Sequence, residues 1–323
     1  MKSTYTPPAA DNWTGRTSAD RAYIHENLQL CNLQAGPPPQ QDRPTPVLLG
    51  YASDEGVRRN LGRPGAAEGP RAIRKALGKM PLLRGGAAPL WDAGDLSCRD
   101  GDLESLQVEF AGHLAGLLKR GYLPLALGGG HDIAYAHFLG LQEGLGADMR
   151  LGILNFDAHF DLRVPLPRGH SGSPFLQMAE YCRKADKAFR YGCLGVRKDA
   201  NPQELWDRAA SLDVLAVDRE EMVPEKMEGV LERLAGFLEP LDAVYLTVDL
   251  DGFSAAYAPG VSAPSPLGFS PESLLPCLDY ILDSGKLKSM DIAELNPVLD
   301  RDGQTALLGA SLVHRVLHHP GLF

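Results

Sequence analysis

A chain of 323 residues with 44% hydrophobic and 23% charged content is long enough to bury a large core and too apolar to be disordered. Its formal net charge of -9, with 32 Lys and Arg dispersed along the sequence, argues against a polyanionic partner, so nucleic acid is not expected. No apolar run reaches about 18 residues, none follows the first Lys, and Cys31, Cys98, Cys182, Cys193 and Cys277 lack CxxC spacing; we expect no membrane contact, no signal peptide, free thiols and a cytoplasmic location.

Residues 1–45 are rich in Pro, Gln and Asn and close on GPPPQQDRPTP, the composition of an extended N-terminal arm. Residues 46–323 then alternate between two patterns. PVLLGYA reads as a strand, GPRAIRKALGKM as a helix, and the stretch from Leu103 to Arg120 as a long amphipathic helix. LPLALGG is a strand that passes through a glycine turn into the helix HDIAYAHFLGLQEG. RLGILNFD, YGCLGV, LDVLAV, AVYLTVDLD and LKSMDIAEL are further strands, most of them separated by helical stretches. Unbroken Val, Ile and Leu runs are buried on both faces, and alternation with helices requires right-handed crossovers. The expected fold is α/β, a single three-layer αβα domain with a mainly parallel central sheet.

Ligands of an open parallel sheet bind beyond the carboxyl ends of its strands, so the residues that close each strand are the informative ones. Here LALGGG runs into His131, ILNF into Asp157, His159 and Asp161, YLTV into Asp249 and Asp251, and SMDI into Glu294. In extended chain, residues two apart point the same way, so each set converges on one place. Four aspartates gathered there repel one another unless cations are present. Two divalent ions balance them. An oxygen-rich set with two imidazoles favours manganese, with iron, cobalt and zinc left open, and the expected cofactor is two Mn2+ per subunit.

The segments GGGHD, NFDAHFD, VDLDGFSAAYAPGVSAP and MDIAELNP resemble, in order and spacing, the signatures of the ureohydrolases, the arginase and agmatinase superfamily, over about residues 47–320. The resemblance implies an arginase-like fold, a symmetric homo-oligomer and a binuclear site. It implies His131 and Asp161 on one ion, His159 and Asp251 on the other or shared, and Asp157 and Asp249 bridging. Within the superfamily, YASDEGVRRNLGRPGAAEGPRAIRKAL, NFDAHFDLR and SGSPFLQ are most similar to the formimidoylglutamases. That implies hydrolysis of N-formimidoyl-L-glutamate, an acidic small-molecule amidine, to L-glutamate and formamide in histidine degradation. A guanidine hydrolase (agmatinase, guanidinobutyrase or arginase) releasing urea stays open, as does an inactive homologue with a structural or regulatory role.

Two neighbouring divalent ions can hold a bridging water and lower its pKa from about 16 toward about 7, giving a nucleophile for the planar amidine carbon. Asp161 is then expected to relay a proton to the departing nitrogen, and Glu294 to align the cationic amidinium. The substrate's carboxylates call for arginine, whose planar fork binds them bidentately. Arg163 is the leading candidate; Arg59, Asn60, Arg63 and Arg197 are weaker. A neutral Asn201 suits a blocked substrate nitrogen. Ser171 stands where arginases and agmatinases carry His, and whether His170 reaches the site is left open. His25, His113, His137, His314, His318 and His319 lie on predicted helices or termini and are assigned structural roles.

Overall fold

The computed structural model describes residues 5–83, 89–146 and 148–322, so residues 1–4 of the expected arm fall outside it. In chain order the strands are β1 (Tyr5–Thr6), β2 (Gln29–Leu30), β3 (Thr45–Ala52), β4 (Trp91–Ser97), β5 (Tyr122–Leu127), β6 (Leu151–Phe156), β7 (Tyr191–Val196), β8 (Leu215–Asp218), β9 (Ala243–Asp249) and β10 (Leu287–Ala293). The helices are α1 (Glu55–Arg59), α2 (Gly69–Leu77), α3 (Leu103–Leu118), α4 (Ile133–Gly144), α5 (Pro174–Lys184), α6 (Gln203–Ser211), α7 (Met227–Leu238), α8 (Pro271–Asp283) and α9 (Gln304–Leu317).

The strands form one sheet in the order β1-β4-β3-β5-β10-β9-β6-β7-β8, with β2 also on β4. Every pairing is parallel except β1 with β4. Period-two alternation sends Leu154 and Phe156 of β6 to one face and Ile153 to the other. Helices α2, α7, α8 and α9 cover the first face, and α3, α4, α5 and α6 the second. The result is the three-layer αβα architecture expected of the unbroken apolar strands.

One strand escapes the hydrophobic pattern. WDAGDLS, which becomes β4, lacks a β-branched run and carries two aspartates. Arg74 from α2 meets both, at 2.9 Å from Asp92 and 2.5 Å from Asp95, and the Trp13 indole donates to Asp92 at 2.8 Å. Pairing with β3 and this ion pair override the weak local propensity. Strands β1 and β2 in the N-terminal segment both pair with β4, and Trp13 and Ile24 from the same segment enter the core.

The sheet order places β5, β10, β9 and β6 side by side, although β5 precedes β6 in the chain. The chain leaves β5, crosses through α4, and returns as β6 with β10 and β9 lying between. Such a switch point opens a crevice at the carboxyl ends of these strands.

Candidate metal centre

Three strand ends deliver the ligand candidates, each through a different turn. After β5 the glycine run lets the backbone pass very close to its neighbour: a Cβ on Gly129 would lie 1.8 Å from the Ser53 carbonyl oxygen. Gly130 N donates to that same oxygen at 2.9 Å, and the turn delivers His131 ahead of α4. The His131 amide donates to Glu294 Oε1 at 2.8 Å, which ties the β5 and β10 ends together.

After β6 the chain is no longer extended. Asp157, His159 and Asp161 lie in a turn rather than on a strand, and Asp161 has φ +47, so the turn and not strand alternation brings these residues together. Asp157 Oδ1 accepts from the His159 amide at 2.7 Å, a local bond that curls the turn around the carboxylate. Asp249 closes β9 and caps a short 3-10 turn by accepting from the Asp251 amide at 2.8 Å. Glu294 sits just past β10 with φ +68. Two non-glycine residues in the left-handed region within one site mark local backbone strain held by the surrounding fold.

The side chains converge in two groups, His131 with Asp157, Asp161 and Asp249, and Asp157 with His159 and Asp251. Within each group one ligand atom per residue lies within 4.8 Å of the others. His131 Nδ1 is 3.2 Å from Asp157, 3.0 Å from Asp161 and 2.9 Å from Asp249. His159 Nδ1 is 3.4 Å from Asp157 and 3.3 Å from Asp251. Asp157 is shared by both groups, while Asp249 belongs to the first.

Two observations test whether this set fits metal ions. His131 Nδ1 and Asp251 Oδ1 are buried with no hydrogen-bond partner, a state a closed protein interior rarely tolerates. Electrostatics give the second. Burial and then the Asp249 charge push Asp251 up to about 8, and burial with Asp157 nearby raises Asp161 and Asp249. Burial disfavours charge on both imidazoles too, yet Asp249 beside His131 and Asp251 beside His159 outweigh it and raise both. Asp157 is also desolvated, but the facing His131 and His159 hold it below the usual carboxylate range. The crowded carboxylates raise one another in a way divalent cations would relieve, and the oxygen-rich donor set with two imidazoles fits a pair of such ions.

The cluster opens into a chamber of about 430 Å3 whose walls include Asn60, Arg63, Arg163, Ser171 and Glu294. Burial, then the Asp249 and Asp251 charges, raise the Glu294 carboxyl well above its ordinary value. Arg163 is exposed on the chamber wall. Asn60 donates to Ser171 Oγ at 3.1 Å. Arg63 spends Nε and Nη2 on the Ser262 and Val261 carbonyls.

Three expected substrate contacts are not supported. Arg59 does not line the chamber: its guanidinium bonds Glu55, Glu104 and the Gly101 and Gly169 carbonyls, using every donor. Arg197 pairs with Asp199 at 2.6 Å. Asn201 reaches the chamber wall, but its amide braces the ligand turn, accepting from Phe160 N and donating to the Ala158 and Arg197 carbonyls. Its donors are consumed by backbone and its oxygen already accepts from Phe160 N, so the amide is fixed by the ligand turn. His170 is buried and engages Val164 O and Gly172 N, which makes it a loop brace rather than a surface or chamber residue.

Thr247 and Asp291, which the sequence motifs do not single out, lie behind His131 together with His137, whose structural role is to contact Asp291. The available signal is Asp291, a carboxylate set between the apolar Met290 and Ile292 in β10.

The model described as the arginase family matches residues 45–319. A formimidoylglutamase of Aeromonas hydrophila subsp. hydrophila is 42% identical over 319 residues, spanning 97% of this chain and 99% of its own. The crystal structure of formimidoylglutamase from Bacillus subtilis superposes with a TM-score of 0.82 at 22% identity, over 96% of this chain and 95% of that one. A Trypanosoma cruzi formiminoglutamase with Mn2+ gives 0.79 at 22% identity, over 93% of this chain and 98% of that one. These two superpositions establish the shared fold.

Proposed function

The chain belongs to the arginase family, and from that premise we propose that it hydrolyses N-formimidoyl-L-glutamate to L-glutamate and formamide, a step of histidine breakdown. The observation that carries this reading is the pair of ligand groups sharing Asp157 at the base of a chamber that Arg163 lines. The chain is a hydrolase of amidine C–N bonds with a binuclear metal site, and we assign manganese to it. His131, Asp157, Asp161 and Asp249 would hold one ion, and Asp157, His159 and Asp251 the other.

When bound, two divalent ions supply Lewis acidity and a water acidified toward neutral pH. The chain's own residues supply position and proton handling. Glu294 uses Oε1 on the His131 amide, which leaves Oε2 for the cationic amidinium of the substrate. Asp161 stands at the chamber wall, where its carboxyl can pass a proton to the departing glutamate nitrogen. Arg163 offers a planar fork to one substrate carboxylate. Asn60 donates to Ser171, so the Ser171 hydroxyl proton is free for a substrate oxygen, and the unspent Nη1 of Arg63 offers a further donor.

Among the described residues no helix is long and apolar enough to cross a membrane. A cytoplasmic location, a symmetric homo-oligomer, and the division into an arm over residues 1–45 and a catalytic domain over residues 46–323 complete the proposal. The manganese-loaded protein should be offered N-formimidoyl-L-glutamate, agmatine and arginine in parallel. Formamide release from the first is the expected result. Urea release from either guanidine at a higher kcat/KM would reassign the chain to the guanidine hydrolases.

A further inference from the structure

Behind His131 runs an unbroken chain of polar side chains in the core. His131 Nε2, the ring nitrogen not directed at the aspartates, lies 3.0 Å from Thr247 Oγ1. Thr247 Oγ1 donates to Asp291 Oδ1 at 2.6 Å. Asp291 Oδ2 accepts from Tyr245 OH and, at 2.6 Å, faces His137 Nδ1. His137 Nε2 is 2.6 Å from Ser289 Oγ, which donates to the Pro124 carbonyl at 2.7 Å. Thr247, Tyr245, Asp291, His137 and Ser289 are each 0% exposed. Asp291 and Thr247 are paired neighbours across β10 and β9, and α4 brings His137 onto them.

Counting protons along this chain gives it a direction. Two hydroxyl donors, Thr247 and Tyr245, converge on the two oxygens of Asp291, which act as acceptors. A threonine hydroxyl has one proton, and Thr247 gives it to Asp291. The contact between Thr247 and His131 must then be donated by His131 Nε2–H. A neutral imidazole carrying its proton on Nε2 presents a lone pair on Nδ1. Nδ1 is the atom that faces Asp157, Asp161 and Asp249 and lacks a hydrogen-bond partner.

We propose that Asp291, acting through Thr247 and held by His137 and Tyr245, is a positioning residue that fixes the tautomer and ring orientation of His131. Its effect falls on the ion held by the His131 group, because no member of the chain touches His159 or Asp251. The inference rests on the binuclear metal reading above. A partner on the far nitrogen of a ligating histidine typically changes metal affinity 10- to 100-fold, about the size expected here.

The test is calorimetric titration of the metal-free protein with Mn2+, comparing wild type with Thr247→Val, Thr247→Ser and Asp291→Asn. Thr247→Val should weaken one of the two ions about 10- to 100-fold and leave the other within about twofold. Thr247→Ser keeps the hydroxyl and should restore both, and Asp291→Asn should weaken the same ion as Thr247→Val. Should Asp291→Asn fail to fold, the Thr247 pair alone decides. Wild-type affinity for both ions in Thr247→Val overturns the inference, as does equal loss at both ions that Thr247→Ser fails to restore. A wild-type protein that takes up no divalent ion overturns the metal reading itself and this inference with it.

Discussion

Two buried charge clusters in this molecule solve the same problem in opposite ways. At the β4 edge, Asp92 and Asp95 are both paired within the chain with Arg74, whose side chain is 1% exposed, and Trp13 satisfies a further oxygen. Burial opposes the Arg74 charge, but the two carboxylates outweigh that and hold the guanidinium above its ordinary range. At the carboxyl ends of β5, β6, β9 and β10, four aspartates and Glu294 face only two imidazoles, and buried ligand atoms lack partners. The edge cluster carries its own cation and leaves only Arg74 Nε without a partner, whereas the carboxylates of the central one are complete only with cations from outside. A buried carboxylate group is thus diagnostic of metal when its counter-charge is missing, not when it is merely acidic.

The largest expected effect breaks the central cluster alone. Chelation should remove activity on the amidine by at least about a thousand-fold, since the acidified water and Lewis acidity are lost together. Readmitted Mn2+ should restore turnover and raise Tm, as any ligand of the native state does. Chelated protein that keeps full turnover would remove the distinction between the two clusters.

Breaking the edge cluster should act on stability instead. Arg74→Met leaves two carboxylates unpaired near the core and should cost about 3–5 kcal/mol in urea unfolding. Added Mn2+ should not restore the stability lost at that edge, because the deficit there is a missing guanidinium. Recovery to wild-type stability by metal would show that the edge cluster also takes cations.

Glu294 sharpens the comparison from inside the central cluster. It lies on the chamber wall and bonds the His131 backbone rather than an imidazole ring. Glu294→Gln keeps an acceptor for that amide and removes the charge. Metal content should stay near two ions per chain while kcat/KM on the amidine falls about 100-fold, the loss of one aligned ionic contact in a shielded site. Loss of metal in parallel with rate would make Glu294 part of the ligand field.

The sequence and the structure agree most closely where strong local signals stand alone. Unbroken apolar runs such as AVYLTVD and LGILNF are legible as buried parallel strands, and the polar residues that close them are legible as site candidates. Strand β4 is not legible, because WDAGDLS becomes a strand through its pairing with β3 and through an arginine 18 residues earlier. The same limit applies at the site. That Arg59 and Asn201 spend their donors on the protein itself depends on residues up to 110 positions away, such as Gly169 for Arg59. Positive φ at Asp161 and Glu294 likewise has no local sequence signature comparable to glycine.

His170 is a third, smaller case: a buried titratable group with no counter-charge on either side. Its ring contacts are the Val164 carbonyl and the Gly172 amide, while Arg163 and Arg59 are the charged groups near it. Burial, reinforced by those two cations, lowers its pKa below the ordinary value, so the folded protein favours the neutral ring. His170→Ala removes two loop contacts and should cost about 1 kcal/mol at pH 8, with kcat/KM within about twofold of wild type. The stability the neutral ring contributes is complete above the unfolded pKa of about 6.5 and declines as pH falls from there toward the lower folded value. The gap between wild type and variant should therefore narrow in urea melts at about pH 5.5. Protons taken up at the metal ligands cancel in that difference, because the ligands are present in both proteins and do not contact His170. A gap that widens in acid would mean that His170 carries its proton in the folded state and has a counter-charge after all.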